Sequence, residues 1–202
     1  MSQSPILVTG SHRSGTTIVG KILSLNYKIG YIHEPFHYHY GIEGVNEWFP
    51  FVYSGSDQES NYYSLVQSLL EGKADFKITE ADKSDTILKK WIHRFVRSAA
   101  DIQYKKAVWN PLVNRYLIKD PLAVFLSDWL QKKFNMQVVM LVRHPAAFVS
   151  SLKRLSWSFD FGSFLRNNDL MKFYLHDILK GVNIKEQSFI KQGAYLWLCI
   201  YH

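Results

Sequence analysis

The stretch VTGSHRSGTT, residues 8–17, determines how the start of the chain can fold. It overlaps the end of Pro5–Val8, a short apolar run of the kind that forms a buried strand. After its two glycines, Ile18, Ile22 and Leu25 recur at the spacing that places side chains on one face of a helix. The stretch therefore predicts a strand, a tight glycine turn and the start of a helix.

The two glycines also have the spacing of a phosphate-binding loop, G-x-x-x-x-G-K-[ST]. Gly10 and Gly15 match this pattern and Thr17 fills its last position, but Thr16 stands where the lysine belongs. N–H groups at a helix N-terminus bind phosphate oxygens whatever side chains surround them. Without the lysine that serves a triphosphate, and with Arg13 in the loop, the pattern favours one terminal phosphoryl or sulfuryl group. A glycine turn that only joins strand and helix is the alternative.

Three further apolar runs alternate with helical patterns. They predict strands at Tyr27–Ile32, Tyr116–Ile118 and Val138–Val142, and the last is the clearest buried strand. Helices are predicted near residues 63–70, 85–100, 122–130 and 146–155. Strands separated by helices predict an α/β fold, a P-loop-like three-layer sandwich with a central parallel sheet and helices on both faces.

Length and composition predict a single domain over residues 1–202, because the chain is 47% hydrophobic and can bury a substantial core. Residues 33–105 are predicted to form an irregular and helical insertion. Near the end, helical spacing continues without a glycine or proline stop, through Ile190, Ala194, Trp197, Leu198 and Tyr201. On this basis we expect that the chain lacks its C-terminal part.

The charge balance, 24 Lys+Arg against 17 Asp+Glu, gives a net charge of +7 and suits an anionic ligand. No run of five basic residues is present, which argues against nucleic acid as the partner. Cys199 is the single cysteine, so no internal disulfide forms and a reducing compartment is expected. The early first strand and the lack of 18 consecutive apolar residues argue against a signal peptide or membrane span. We expect a cytoplasmic protein.

A second anion site is predicted where the run Val138–Val142 ends. Arg143 follows at the carboxyl end of this strand, where ligands of open α/β sheets bind, and Ser151 lies about two helical turns further on. Arginine binds phosphate through two parallel N–H bonds. A surface arginine at a strand end is the alternative. Together with the glycine loop, this site predicts one ligand that carries phosphate groups at both ends.

Four motifs in this order resemble the sulfotransferase superfamily, whose members use 3'-phosphoadenosine 5'-phosphosulfate (PAPS). They cover residues 5 to about 155 and comprise Thr9–Thr17, His33-Glu34-Pro35, Lys119-Asp120-Pro121 and Leu141–Pro145 with Ser151. The resemblance implies that the first motif binds the 5'-phosphosulfate, through Arg13, Ser14, Gly15, Thr16 and Thr17. It also implies that Arg143 and Ser151 bind the 3'-phosphate.

The resemblance accounts for the missing lysine. A transferring sulfuryl group carries less negative charge than a γ-phosphoryl group, so fixed cations and loop N–H groups suffice and no metal is expected. Cytosolic members of the superfamily carry lysine at the position that corresponds to Arg13 of this chain. Arg13 is instead similar to the arginine of the carbohydrate and tyrosylprotein branches.

Candidate catalytic residues follow two of the strands. A carboxylate after the second strand would lie beside the arginine of the loop, and Glu34 could take the proton of an acceptor hydroxyl. The resemblance agrees, since the carbohydrate and tyrosylprotein branches place a catalytic glutamate here. Lys119 could neutralise the leaving oxygen, a role that the superfamily gives to a lysine in this turn. The alternative for Glu34 is a structural role, either pairing with Arg13 or capping a helix, and the alternative for Lys119 is an exposed lysine at a strand end. His33 and Asp120 are weaker candidates for the base.

The segment His33-Glu34-Pro35-Phe36-His37 also fits the zinc-protease pattern H-E-x-x-H. That pattern requires both histidines on one face of a helix. Pro35 costs about 3 kcal/mol within a helix, so we predict no metal site here.

Aromatic residues follow this segment, at Phe36, Tyr38, Tyr40, Trp48, Phe49, Phe51 and Tyr53. They would either receive the acceptor, by stacking on a sugar or covering a lipid, or pack the loop onto the core. The sequence thus predicts a PAPS-dependent sulfotransferase acting on a hydroxyl, with carbohydrate as one possible acceptor. The alternative is a non-catalytic or kinase-like P-loop nucleotide-binding protein.

Overall fold

A four-stranded parallel sheet organises the computed structural model, which describes residues 3–78 and 99–202. The strands are β1 (Ile6–Gly10), β2 (Ile29–His33), β3 (Arg115–Lys119) and β4 (Gln137–Leu141). Their spatial order is β2-β3-β1-β4, and every neighbouring pair is parallel. The carboxyl ends of all four strands therefore lie at the same edge of the sheet.

Helices surround this sheet. Those before the last strand are α1 (Thr16–Leu23), α2 (Glu59–Leu70), α3 (Ala99–Trp109) and α4 (Ser127–Phe134), with a 3-10 helix at Pro121–Leu126. Those after it are α5 (Pro145–Arg154), α6 (Gly162–Leu165), α7 (Asn168–Leu170), α8 (His176–Leu179) and α9 (Phe189–Tyr201). A π-helical turn at Met171–Leu175 and a 3-10 turn at Ile184–Glu186 complete the described elements. None of the helices in the described ranges is long and apolar enough to cross a membrane.

The alternation of side chains along each strand divides the core. Leu7 of β1, Ile118 of β3 and Ile32 of β2 belong to the larger cluster, which also includes residues of α2, α3 and α4. Ile6 and Val8 point to the opposite face, where Val19 of α1 packs on them. The predicted α/β sandwich with a parallel sheet and helices on both faces is confirmed.

Element boundaries differ from the predictions by up to four residues, as at α2, which was predicted from residue 63 and begins at Glu59. The predicted helix at 85–100 lies outside the described residues except for its end. A larger difference concerns α1. Ile18, Ile22 and Leu25 were predicted to share a face, yet they are 66%, 58% and 81% exposed. Thr16 and Gly20 are the buried residues of this helix. Gly20 permits the close approach, because a Cβ there would lie 3.1 Å from the Tyr31 ring and 3.2 Å from Lys119 Cγ.

The predicted burial of the fourth strand was wrong. Val138–Val142 was the clearest buried strand in the sequence, but within the described residues β4 pairs with β1 on one side only. Met140 and Val142 are consequently exposed. The helical spacing predicted near the end of the chain is confirmed by α9, whose buried residues are Gly193, Leu196, Cys199 and Ile200, whereas Ile190 and Leu198 are exposed.

Candidate active site

The four motifs meet at the carboxyl edge of the sheet. The glycine loop follows β1, Glu34 follows β2, Lys119 ends β3 and Arg143 follows β4. Because the strands are parallel and adjacent, these segments converge although they lie far apart in sequence. The order and the parallel direction of the strands therefore bring the residues of the candidate site together.

The glycine loop has the backbone geometry of an anion cradle. Gly10, Arg13 and Gly15 all have positive φ, and Gly15 precedes α1 in the left-handed conformation. No side chain within the described residues caps the first turn of α1, so its N–H groups face the loop without a side-chain acceptor. Ser14 Oγ is buried and has no hydrogen-bond partner in the described part of the chain. A bound anion would accept hydrogen bonds from these N–H groups and from the Ser14 hydroxyl.

Close packing against β4 fixes the start of this loop. A Cβ at Gly10 would lie 2.2 Å from the Leu141 carbonyl oxygen, so only glycine fits there. Ser11 N–H donates to the Tyr201 hydroxyl at 2.6 Å, and that hydroxyl donates to the Leu141 carbonyl, also at 2.6 Å. The last helix thus ties the loop to the end of β4.

The two predicted anion sites are in direct contact. Arg143 Nη1 donates to the Arg13 carbonyl at 2.6 Å, and Arg13 Nε donates to Ser151 Oγ at 3.3 Å. Ser151 is buried on α5, whose first turn is preceded by His144 as N-cap and begins with Pro145. Trp197 Nε1 donates to the Arg143 carbonyl at 2.8 Å, so α9 holds this segment as well. Within the loop, Thr16 is buried, Thr17 is exposed, and Ser14 and Gly15 are half-buried.

Glu34 and Lys119 form a buried ion pair. Lys119 Nζ donates to Glu34 Oε1, the Tyr40 hydroxyl donates to Oε2, and the side chains of Lys119 and Glu34 are 1% and 15% exposed. Burial alone would raise the pKa of Glu34, but the charge and hydrogen bond of Lys119, together with the bond from Tyr40, hold it below its usual value. Glu34 is a carboxylate at neutral pH.

The strand order changes the predicted partner of Glu34. It was expected beside Arg13, but β3 lies between β1 and β2, so Glu34 follows the strand next to Lys119. His33 pairs with Lys119 in the ladder, and the Glu34 N–H donates to the Lys119 carbonyl at 2.8 Å. The alternative that Lys119 is an exposed lysine at a strand end is wrong, because Lys119 is buried. Gly20 allows α1 to approach closely enough to cover the Lys119 stem.

Asp120 organises the backbone around this pair. Its two oxygens accept the Phe36 N–H at 2.7 Å and the Leu122 N–H at 2.9 Å, and it is completely buried. Burial, followed by the charge of Glu34, raises the pKa of Asp120 to about 7. Because both oxygens are occupied and no surface is exposed, the geometry gives Asp120 a structural role.

Three histidines surround the ion pair. Burial lowers the pKa of His12 and of His37 to about 4, and it also lowers the pKa of His33. These rings are therefore neutral at pH 7. The pattern H-E-x-x-H is not helical here, since His33 ends β2 and His37 lies in the turns that follow.

A cleft of about 620 Å³ lies two aromatic rings away from Glu34, since Trp48 in its lining contacts His37, and His37 stacks on Tyr40, which is hydrogen-bonded to Glu34. We call it the aromatic cleft; its aromatic lining residues are Tyr38, Trp48, Trp157 and Phe159, and its charged ones are Glu47, Asp160 and Arg166. The predicted aromatic cluster therefore separates into residues that line the cleft and residues that pack in the core. Tyr38 and Trp48 line the cleft, whereas Phe36, Phe49 and Phe51 are buried in the core.

Sequence reasoning missed three contributors. Tyr40 was seen only as one aromatic residue among several, although it is hydrogen-bonded to Glu34. Tyr201 was read as part of a helix face, and no local pattern links it to Ser11, 190 residues away. His12 was quoted as a loop residue without a role, yet its ring contacts Phe49 and Trp157.

A comparison with protein families agrees with this geometry. A family model described as "Sulfotransferase family" matches residues 5–189. Searches of curated proteins and of solved structures find no match to the chain. The matched range includes the glycine loop, the ion pair, the second anion site and the aromatic cleft.

Proposed function

The chain belongs to the sulfotransferase family, and from this premise we propose that it transfers the sulfuryl group of PAPS to a hydroxyl of an acceptor. Membership of the family indicates an enzyme that transfers sulfuryl groups. The observation that carries the choice of donor is the contact of the two anion sites, Arg143 with Arg13 and Arg13 with Ser151. PAPS carries one anionic group on the 3' position and one on the 5' position of the same ribose, and so matches such a pair of adjoining sites.

The side chains present fit this donor. The uncapped N–H groups of α1 and the unpartnered Ser14 hydroxyl would hold the 5'-phosphosulfate, together with Thr16, Thr17 and Arg13. Arg143 and Ser151 would hold the 3'-phosphate by charge-assisted hydrogen bonds. Thr16 in place of a P-loop lysine favours this ligand over a magnesium-bound triphosphate.

PAPS supplies an activated sulfuryl group, whose bond to the 5'-phosphate oxygen breaks as a bond to the acceptor oxygen forms. Glu34 would accept the proton of the acceptor hydroxyl, because its lowered pKa keeps it ionised. Lys119 and Arg13 would stabilise the negative charge that stays on the leaving phosphate oxygen. Transfer of the Lys119 hydrogen bond from Glu34 to that oxygen would free Oε1 for the proton.

Two features support a carbohydrate as the class of acceptor, namely the glycine loop and the aromatic cleft. Arg13 supports the carbohydrate and tyrosylprotein branches of the superfamily rather than the branch with lysine at this position. The aromatic cleft, which is linked to Glu34 through the rings of His37 and Tyr40, supports a carbohydrate acceptor, because aromatic faces pack against the apolar faces of sugar rings.

Titration calorimetry tests the donor. We expect the product nucleotide 3'-phosphoadenosine 5'-phosphate (PAP) to bind more tightly than ATP and without Mg²⁺. Preference for ATP with Mg²⁺ would instead support a kinase-like or non-catalytic P-loop protein. Labelled PAPS, incubated with the full chain and a panel of hydroxyl acceptors, then tests transfer, with Glu34→Gln as the inactive reference.

A further inference from the structure

The aromatic cleft carries an inference that rests on the proposed function. We propose that this cleft receives the acceptor and selects an uncharged sugar over an acidic one.

Two tryptophans of the cleft connect it to the proposed reaction centre through ring contacts. On one side, the Trp48 ring meets His37 edge-on at 5.1 Å, His37 stacks on Tyr40 at 3.6 Å, and Tyr40 donates to Glu34. On the other side, the Trp157 ring lies 5.3 Å from His12, a residue of the glycine loop. An acceptor held in the cleft therefore lies near the glycine loop and extends past His37 and Tyr40 to bring a hydroxyl to Glu34.

The size and walls of the cleft suit a sugar. Its volume, about 620 Å³, falls within the range of roughly 300–1,000 Å³ that is typical of ligand sites. Trp48, Trp157, Tyr38 and Phe159 supply aromatic surface, and Tyr38 stacks on Trp48 at 6.0 Å. Asn167, with other polar residues between these rings, offers hydrogen bonds to hydroxyl groups.

The charges of the lining disfavour an anion. Two acids and one base, Glu47, Asp160 and Arg166, give the lining a net charge of −1, in a chain whose net charge is +7. Arg166 lies 3.5 Å from Asp160, so its charge is already compensated. Lys77 lies beyond the Tyr38 ring, at 5.2 Å from its centroid, and donates to the carbonyls of Tyr38 and Val45. A sulfate or carboxylate in the cleft would face Glu47 without an uncompensated cation among the described lining residues.

Glu47 is held in place by its neighbours. Its Oε1 accepts from Gln58 Nε2 at 3.0 Å and its Oε2 from Asn167 Nδ2 at 3.3 Å. The carboxylate therefore cannot swing away from an acidic acceptor without loss of two hydrogen bonds. The sulfated product carries the charge that the cleft disfavours, which promotes its release and limits a second transfer to the same sugar.

A glycan array with matched neutral, sulfated and uronic acid forms of the same backbones tests this selectivity, using the labelled full chain saturated with PAP. We expect at least tenfold stronger binding to neutral members. Trp48→Ala and Trp157→Ala should each lose tenfold or more, whereas Trp109→Ala, at an exposed tryptophan that ends α3, should not. Glu47→Gln should narrow the difference between neutral and acidic members, and Asp128→Asn, on the surface of α4, should leave it unchanged.

Equal or tighter binding of acidic members, no binding of any member, or unchanged binding by the tryptophan variants would overturn the inference. PAP titration of the same samples separates this result from the proposed function. Sugar binding without PAP binding would refute the donor assignment and keep the cleft, whereas PAP binding without sugar binding would do the reverse. Glu47→Gln is a surface change of equal size, so the charge test remains available if a tryptophan variant does not fold.

Discussion

The hydroxyl of Tyr201 accepts the backbone N–H of Ser11 at 2.6 Å, across 190 residues of sequence. It also donates to the Leu141 carbonyl at the end of β4. One side chain of the last helix therefore joins the glycine loop to the strand beside it.

Tyr201→Phe should destabilise the chain and weaken PAP binding. The substitution leaves the Ser11 N–H without its acceptor, and an unsatisfied buried donor costs about 1–3 kcal/mol. Urea unfolding and PAP titration measure the two effects. Tyr195→Phe is the control in the same helix, since no hydrogen bond of its hydroxyl is found among the described residues; an equal loss in both variants would refute the proposed tie.

Lys119→Met should abolish turnover with PAP affinity retained, and it should also destabilise the fold. Removing one partner of a buried pair costs about 3–5 kcal/mol because the other charge is left uncompensated, and the remaining 15% exposure of Glu34 places the effect toward the lower end. The double variant Lys119→Met/Glu34→Gln should recover part of the lost stability without activity.

A matched control comes from the exposed pair Lys132 and Asp128, where Lys132→Met should cost at most about 1 kcal/mol. Full activity of Lys119→Met would rule out the catalytic role of this lysine.

Asp120 should make the stability depend on pH. Its pKa is raised to about 7 in the folded state, from 3.8, so its protonated form is favoured by folding. Stability from this group is complete below pH 3.8 and is lost as the pH rises through about 7; the loss between pH 5 and 7 should be about 2–3 kcal/mol. Urea unfolding across this range measures it.

Two variants check that assignment. Asp120→Asn should remove the slope between pH 5 and 7 and lower the stability overall, because an amide accepts only through its single oxygen. Glu34→Gln should move the slope to lower pH, since the charge of Glu34 contributes to the raised pKa of Asp120. An unchanged slope in Asp120→Asn would show that another group titrates.

Arg143→Ala should remove the preference for a 3'-phosphate. Hydrogen bonds to charged groups contribute about 1.5–3 kcal/mol, which corresponds to roughly a 10- to 150-fold loss of PAP affinity. Binding of 5'-AMP, which lacks the 3'-phosphate, should change little. Arg154→Ala, at an exposed arginine of α5, is the control. A parallel loss for PAP and 5'-AMP would place the 3'-phosphate elsewhere.

Much of the fold was predictable because its signals are local. The run Pro5–Val8 and the glycines after it are typical of a strand and a turn, and Pro145 marks a helix start that the structure confirms. The alternation of strands and helices also predicted the parallel sheet. Burial was less predictable, as Val142 and Ile18 show, because an apolar run reports what a segment could cover and not what lies against it.

The sequence by itself determined the strands, the phosphate-type loop and the residues Arg13, Glu34, Lys119 and Arg143 as candidates, since backbone geometry and side-chain chemistry are properties of short segments. Only the tertiary structure decided which of these residues meet. The order β2-β3-β1-β4 makes Lys119, and not Arg13, the ion-pair partner of Glu34. The packing of α9 places the Tyr201 hydroxyl within hydrogen-bond distance of Ser11. These pairings depend on how separate elements fill a shared core, and no local pattern of residues encodes that choice.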